Sequence, residues 1–233
     1  MSKPTIVLVH GAFADAAVWR PVFDLLSADD YPVLAPPNPL RGLAHDAAYI
    51  GAVLDEIEPP VVLVGHSYGA AVVTVAGATE KVSAVVYAAG LVPDEGESLS
   101  DLQSHYPSLA MGPLFQQRML ADGAVEVSID PHQFQSVFCA DVPEEQATFL
   151  AHAQRPLLAS AFDEPAASVA WHTKPSWAVF GTQDRPVAPA LHRFQNLRAG
   201  VTATEVEDAS HFVMLSRPDA VADVIRQAAD YQA

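Results

Sequence analysis

The sequence predicts an α/β fold, in which a mostly parallel central sheet is flanked by helices and carries an inserted helical cap. Three observations support this prediction. Short, continuously apolar segments alternate with helical patterns, as in a parallel sheet that is covered on both faces. Between residues 94 and 170 this alternation stops, and helical fragments are broken by prolines without a convincing buried strand. The 233 residues, half of them hydrophobic, suit one domain with an insertion.

The first half of the chain contains four predicted strands that alternate with three predicted helices. Apolar residues at consecutive positions, rather than at every second position, predict strands that are buried on both faces. The strands are residues 5–9, 32–35, 61–64 and 82–89, and the helices are residues 16–27, 45–58 and 70–78. The proline-rich stretch 36–42 cannot form the interior of a strand or helix, so we expect a loop at the carboxyl end of a strand.

The alternation resumes after the cap with two further strands, residues 176–180 and 202–206, and two further helices, residues 189–197 and 218–231. A separate second domain would need its own core and a linker, and the sequence shows neither. We therefore assign residues 1–93 and 171–233 to the core, and residues 94–170 to a helical cap inserted in that core.

Composition excludes several classes of function. The formal charge is −16, from 28 acidic and 12 basic residues, so we expect neither a nucleic-acid nor a membrane partner. The single cysteine, Cys139, allows neither an internal disulfide nor a thiolate metal cluster. The histidines lack paired ligand spacing, so we expect no metal. Residues 1–4 lead directly into an apolar strand without a signal peptide, and we expect a cytoplasmic protein.

The most informative motif is Gly65-His66-Ser67-Tyr68-Gly69, which follows a buried strand and precedes a helix. This order of strand, Gly-x-Ser-x-Gly and helix is the context of a nucleophile elbow. In such a turn the serine adopts a strained backbone conformation, and a Cβ atom on either glycine would collide with a neighbouring strand or helix. The motif therefore predicts that Ser67 presents its hydroxyl at the sheet edge as a nucleophile.

A serine hydroxyl becomes a nucleophile only when a base removes its proton and a carboxylate orients that base. Asp184 follows one of the last predicted strands and His211 follows the other, at the same sheet edge as Ser67. We therefore predict a catalytic triad of Ser67, His211 and Asp184. Two alternatives stay open: Asp94, which also follows a strand, is a competing acid, and Asp184 could simply cap the helix after it.

The negative oxygen of a tetrahedral intermediate requires two backbone N–H donors. We assign one of them to Tyr68, at the start of the helix after the nucleophile. We assign the other to Ala12, in the loop after the first strand, where Gly11 allows the chain to pass close to the site. Phe13 in the same loop is predicted to line the substrate pocket. The side chain of His66 must point away from the nucleophile, so we expect it to pack behind the site.

With these motifs the chain resembles the α/β-hydrolase superfamily from end to end. The resemblance is carried by His10-Gly11, Gly65-His66-Ser67-Tyr68-Gly69, Gly181-Thr182-Gln183-Asp184 and Ser210-His211. Within that superfamily, residues 7–12 and the position of the cap are similar to the branch that contains salicylate methylesterases, hydroxynitrile lyases and bacterial serine esterases. The resemblance implies the α/β-hydrolase fold with a core of about six strands, a cap over the pocket and no cofactor.

One position departs from the lyases of this branch. They carry a lysine directly after the catalytic histidine, whereas this sequence has Phe212, a neutral residue to which we assign substrate binding. The sequence thus predicts a serine carboxylic-ester hydrolase that acts on a small-molecule, mostly apolar ester through an acyl-enzyme. A hydroxynitrile lyase or carbon–carbon bond hydrolase on the same triad stays open as an alternative. So does a non-catalytic small-molecule receptor, and no oligomeric state is predicted.

Apolar cap residues are candidates either for the pocket wall or for ordinary core packing. Their directions depend on how the cap folds, which the sequence pattern does not determine. These candidates are Phe115, Met119, Leu120, Phe134, Phe138, Phe149, Leu150 and Phe162.

Overall fold

A six-stranded parallel sheet forms the core in a computed structural model, which describes residues 3–106 and 111–231. The strands of the described residues are β1 Thr5–Val9, β2 Val33–Leu34, β3 Val61–His66, β4 Val82–Ala88, β5 Phe115–Met119, β6 Val125–Ile129, β7 Leu157–Leu158, β8 Ser176–Gly181 and β9 Thr202–Val206. The central sheet has the order β2-β1-β3-β4-β8-β9, and its neighbouring strands are parallel. This architecture confirms the predicted fold class.

Helices connect the strands of the core and build much of the cap. The helices of the described residues are α1 Arg20–Ala28, α2 Leu43–Asp55, α3 Tyr68–Ala76, α4 Leu99–Ser104, α5 Pro131–Phe138, α6 Glu144–His152, α7 Pro189–Arg198, α8 Val213–Ser216 and α9 Pro218–Asp230. A proline in the first turn helps to start α1, α5, α7 and α9, because its fixed φ suits a helix and its missing N–H is not needed there. In this part of the chain no helix combines the length and apolar character needed to cross a membrane.

Both faces of the central sheet are covered. Consecutive residues of a strand point to opposite faces, and Ile6, Val7, Leu8 and Val9 are all fully buried. Around the sheet, α1 packs with α9 and α2 packs with α3. The continuous apolar character of the strands is thus explained by burial on two sides, as in other parallel sheets.

The strand order places two loops side by side at one edge of the sheet. From β1 the chain crosses to β2 on one side and then to β3 on the other, which makes the gap between β1 and β3 a topological switch point. Val9 pairs with Gly65 at the carboxyl ends of these strands. The loop after β1 and the turn after β3 therefore open next to each other, where α/β sheets bind ligands.

The segment between β4 and β8 differs from the predicted helical cap. It contains α4, α5 and α6, but also an antiparallel sheet with the order β5-β6-β7. The segment thus contains the predicted helices, but the expectation that it has no buried strand is wrong, because β6 is mostly buried. Its strand β5 is mostly exposed and polar, so it lacks the apolar run by which a buried strand is recognised. The buried Glu126 of β6 joins this sheet to the core, because it pairs with Arg118 of β5 and with Arg41 of a core loop.

Candidate active site

Ser67 occupies the sharp turn between β3 and α3. Its backbone has φ 52° and ψ −122°, a positive-φ conformation that is strained for a residue with a Cβ atom. A Cβ on Gly65 would lie 2.5 Å from the carbonyl oxygen of Gly69, and a Cβ on Gly69 would lie 2.6 Å from that of His10. The turn therefore requires both glycines of the motif, for the steric reason that the sequence indicated.

Side chains that follow β3, β8 and β9 form one hydrogen-bonded line. The Nε2 atom of His211 lies 2.9 Å from Oγ of Ser67, and its Nδ1 atom lies 2.7 Å from Oδ2 of Asp184. Asp184 and His211 are 4% and 1% exposed. When Nδ1 donates its hydrogen to the carboxylate, Nε2 is left to accept the hydrogen of the hydroxyl. The arrangement can therefore move a proton from Ser67 to His211.

The Asp184 carboxylate is ionised although it is buried. Burial alone raises the pKa of this carboxyl, but the adjacent His211 and the hydrogen bonds from His192 and His211 outweigh burial and hold the pKa well below its usual range. The Oδ1 atom also accepts the backbone N–H of Val187 at 2.9 Å. Asp184 therefore binds the backbone N–H of Val187, as a helix cap would, and contacts His211 at the same time.

The competing acid, Asp94, pairs with a histidine other than His211. Its Oδ1 atom is 3.1 Å from Nε2 of His172, and its side chain is 38% exposed. The carboxylate that is hydrogen-bonded to His211 belongs to Asp184. The geometry therefore favours Asp184 over Asp94 as the partner of the histidine.

The loop after β1 lies beside the nucleophile turn. Ala12 and Tyr68 both line the cavity that contains the Ser67 hydroxyl. Tyr68 is the first residue of α3, so its N–H has no acceptor within that helix. The loop is anchored by His10, whose Nε2 accepts the N–H of Asn38 at 2.9 Å, while the Asn38 amide donates to the His10 carbonyl at 3.0 Å. The two residues assigned as oxyanion donors thus face the same cavity.

His66 and Phe212 lie behind His211. The Nε2 atom of His66 donates to the His211 carbonyl at 3.1 Å, and the centroids of the two rings are 4.9 Å apart. Phe212 is fully buried and packs against His66, Phe134 and Phe138. It is not among the residues that line the cavity. The structure therefore contradicts the assignment of Phe212 to substrate binding, because its ring fills the space behind the histidine instead.

Two buried histidines of the site make folding stability sensitive to acid. Burial lowers the pKa of His10 to about 4 and lowers that of His66 well below its usual value. Both side chains titrate near 6.5 when exposed, so below that pH the unfolded chain binds more protons than the folded one. The stability that these two buried histidines contribute is therefore fully present above about pH 6.5, and it decreases as the pH falls. We expect the free energy of unfolding to decrease by about 2 kcal/mol between pH 7 and pH 5 from His10 alone, and His66 adds to this decrease in the same direction.

Urea unfolding at pH 7 and pH 5 measures this decrease. The same linkage predicts that the protein takes up protons when it unfolds near pH 5, about one at His10 and more at His66. His152 is exposed, so the variant His152→Gln is a control that should keep the parental pH dependence. An equal free energy of unfolding at both pH values would contradict the expectation.

The hydroxyl of Ser67 opens into a cavity of about 290 Å³ between the core and the cap. Phe13 lies on the core side of this cavity, as predicted from its loop. Ser100 and Asp163, joined by a hydrogen bond of 2.7 Å, add a polar segment to the wall. The aromatic side chains on the cap side are Phe115, Phe138 and Phe162.

The other cap candidates lie outside this cavity. Phe134 is fully buried among other apolar side chains, whereas Met119 and Phe149 are largely exposed. Leu120 and Leu150 are half-buried. Similar apolar residues in the cap thus have three different environments, and only contacts between the cap and the core distinguish them.

Sequence reasoning missed two residues of the site, His192 and Gln195. The Nε2 atom of His192 lies 3.0 Å from Oδ2 of Asp184, and its Nδ1 atom lies 3.3 Å from the side-chain nitrogen of Gln195. Both residues lie on α7, three positions apart and therefore on one face of the helix, and both are buried. The signal in the sequence was this polar pair at helical spacing in the helix that follows the acid.

Cys139 is free and buried, and burial raises the pKa of its thiol to about 12. A thiol in this state is not a nucleophile near neutral pH, so Cys139 acts as a packing residue. Within residues 3–106 and 111–231, no group of three or more histidine, cysteine, aspartate or glutamate side chains is arranged to hold a metal ion.

Known proteins share both the sequence pattern and the architecture of this chain. A model of the alpha/beta hydrolase family matches residues 6–224. Probable hydrolase R7 of Phoma sp. (strain ATCC 20986 / MF5453) is 28% identical over 254 residues, which cover 98% of this chain and 99% of that protein. Polyneuridine aldehyde esterase superposes with a TM-score of 0.84 at 20% identity, over 98% of this chain and 100% of its own. An Arabidopsis methylesterase superposes with a TM-score of 0.78 at 19% identity, over 97% and 98% of the two chains. At these identities the two solved structures show the shared fold.

Proposed function

This chain belongs to the alpha/beta hydrolase family, and we propose that within it the chain is a serine esterase that hydrolyses small, mostly apolar carboxylic esters. The observation that carries this proposal is the hydrogen-bonded line from Ser67 through His211 to the buried Asp184. Such a line activates a hydroxyl for attack on a carbonyl carbon. The aromatic wall of the cavity and the esterase names of the structural neighbours support the same choice.

In the proposed first half-reaction, Oγ of Ser67 attacks the ester carbonyl carbon while Nε2 of His211 takes the hydroxyl proton. Asp184 holds the other ring hydrogen and stabilises the imidazolium that forms. The carbonyl π electrons move to the oxygen, whose negative charge is bound by the N–H groups of Ala12 and Tyr68. The intermediate then collapses, the C–O bond to the alcohol breaks, and His211 gives its proton to the leaving alkoxide.

The second half-reaction uses the same groups on water. His211 removes a proton from a water molecule, which attacks the acyl carbon of the ester formed on Ser67. Collapse of the second tetrahedral intermediate breaks the bond to Oγ, and His211 returns the proton to Ser67. The products are an alcohol and a carboxylic acid. A net charge of −16 on the protein repels the carboxylate product.

A fluorophosphonate probe tests whether Ser67 is activated. After incubation of the purified protein with the probe, digestion and mass spectrometry should show the adduct on the peptide that contains Ser67. Ser100 lines the same cavity but donates its hydroxyl to Asp163, so it is an internal control that should stay unmodified. Absence of the adduct from Ser67 would contradict the proposed function.

A series of nitrophenyl esters tests the substrate class. We expect kcat/KM to rise with acyl length and to fall once the acyl group exceeds the cavity of about 290 Å³. The variant Phe162→Ala should move the maximum to longer acyl groups, whereas Phe149→Ala, outside the cavity, should not. Liberation of cyanide from a cyanohydrin, without ester hydrolysis, would instead favour the lyase alternative.

A further inference from the structure

We propose that His192 is a positioning residue of the triad, which holds the Asp184 carboxylate in place for His211. This role rests on the proposed function, because it concerns the acid of the same triad. The Nε2 atom of His192 lies 3.0 Å from Oδ2 of Asp184, and Nδ1 of His211 lies 2.7 Å from that same oxygen. Two imidazole rings therefore converge on one carboxylate oxygen.

Gln195 determines which nitrogen of His192 carries the hydrogen. Its Oε1 atom accepts the N–H of Val92 at 3.1 Å, which identifies the other amide atom as the nitrogen. That nitrogen donates to the carbonyl of Gly90 at 2.5 Å and faces Nδ1 of His192 at 3.3 Å. An amide nitrogen only donates, so Nδ1 of His192 accepts and its ring hydrogen lies on Nε2. His192 is therefore a fixed donor to Asp184.

The surroundings of His192 exclude water. His192 and Gln195 are each 1% exposed, and the ring of Phe180 stacks on that of His192 with centroids 4.6 Å apart and an interplanar angle of 22°. In such an environment a hydrogen bond to a charged carboxylate is strong, and a missing one leaves the charge uncompensated. The stacking also fixes the plane of the ring, so the donor stays aimed at Asp184.

Three donors together prevent the Asp184 carboxylate from rotating. His192 and His211 bind Oδ2, and the N–H of Val187 binds Oδ1 at 2.9 Å. During turnover His211 becomes an imidazolium, and the carboxylate must keep its orientation and its charge while this happens. The hydrogen of His192 serves both needs, because it fixes one oxygen and stabilises the ionised form.

Hydrogen bonds also connect Gln195, the partner of His192, to the nucleophile turn. Gln195 binds Gly90 and Val92, the residues on either side of Leu91. The N–H of Leu91 donates to the carbonyl oxygen of Ser67 at 3.2 Å. The helix that carries His192 is thus connected to the loop that supports the nucleophile, independently of His211.

Two substitutions separate the hydrogen bond of His192 from its packing. His192→Phe keeps an aromatic ring on Phe180 but removes both nitrogens, whereas His192→Gln keeps a side-chain N–H donor. For His192→Phe we expect kcat on a nitrophenyl ester to fall about tenfold to a hundredfold with KM nearly unchanged. We expect His192→Gln to recover most of this loss. Circular dichroism and thermal unfolding test whether both variants are folded.

A double-mutant cycle shows whether His192 acts through Asp184. In the Asp184→Asn background, His192→Phe should lower kcat by less than about twofold, because the carboxylate on which it acts is already gone. A full additional loss there, a parental kcat for folded His192→Phe, or failure of folded His192→Gln to restore activity would each overturn the proposed role.

A measurement that needs no substrate separates this role from the proposed function. The hydrogen on Nδ1 of His211 lies in the bond to Asp184, so its low-field proton NMR signal reports the state of that carboxylate. The signal should shift in His192→Phe and return toward the parental position in His192→Gln. A parent protein without esterase activity would contradict the proposed function alone, whereas an unshifted signal in His192→Phe would overturn the role of His192.

Discussion

Replacement of Ser67 by alanine is expected to lower kcat for ester hydrolysis on the order of 10⁶-fold, the size of effect that follows when a triad loses its nucleophile. The substitution removes the atom that would form the proposed acyl-enzyme, so His211 is left with no hydroxyl to deprotonate. Alanine also carries a Cβ atom, so the backbone strain at φ 52° stays and the free energy of unfolding should change little. Steady-state kinetics and urea unfolding of the purified variant measure the two quantities.

Ser100→Ala is the matched control for this experiment. It removes a hydroxyl from the wall of the same cavity without touching the hydrogen-bonded line, so kcat should stay close to the parental value. Ester hydrolysis by Ser67→Ala at the parental rate, in protein shown by mass spectrometry to carry the substitution, would end the serine mechanism.

Replacement of Asp184 by asparagine is expected to lower kcat about 10⁴-fold. Asparagine has nearly the same shape, but one side of its amide is an NH₂ group. This group points either at the two histidines or at the N–H of Val187. In the first orientation Nδ1 of His211 has to accept, and Nε2 then carries a hydrogen toward Ser67 and cannot take another. The loss thus arises from the wrong tautomer of the base.

Asp94→Asn distinguishes the two candidate acids. Asp94 contacts His172 and is partly exposed, so this variant should keep parental kcat and KM. Both variants are measured with the same ester and at the same pH. Full activity of Asp184→Asn combined with loss of activity in Asp94→Asn would transfer the role of the acid to Asp94.

Much of the site followed from local sequence features. Glycine at 65 and 69 around Ser67 reflects steric limits within one turn, which act wherever that turn forms. Asp184 and His211 were identified by their positions after the last two strands of a parallel sheet, whose carboxyl ends share an edge. The periodicity of apolar residues predicted that sheet, because burial on two faces leaves a continuous apolar pattern.

Other features depended on which side chains the folded chain brings together. No residue near Phe212 in the sequence indicates that its ring packs behind His211. Strand β5 is polar and exposed, so the sequence around it contains no apolar pattern that would predict a strand. The contact of His192 with Asp184 requires α7 to lie against the acid loop and Gln195 to reach the loop after β4. The amino-acid sequence by itself thus determined the fold class, the sharp turn at Ser67 and the order along the chain of the three residues of the proposed triad, since these depend on sterics and periodicity along the chain. The tertiary structure alone decided the cap sheet, the lining of the cavity and the second histidine on the acid, because the direction of a side chain is set by packing between segments that are distant in sequence.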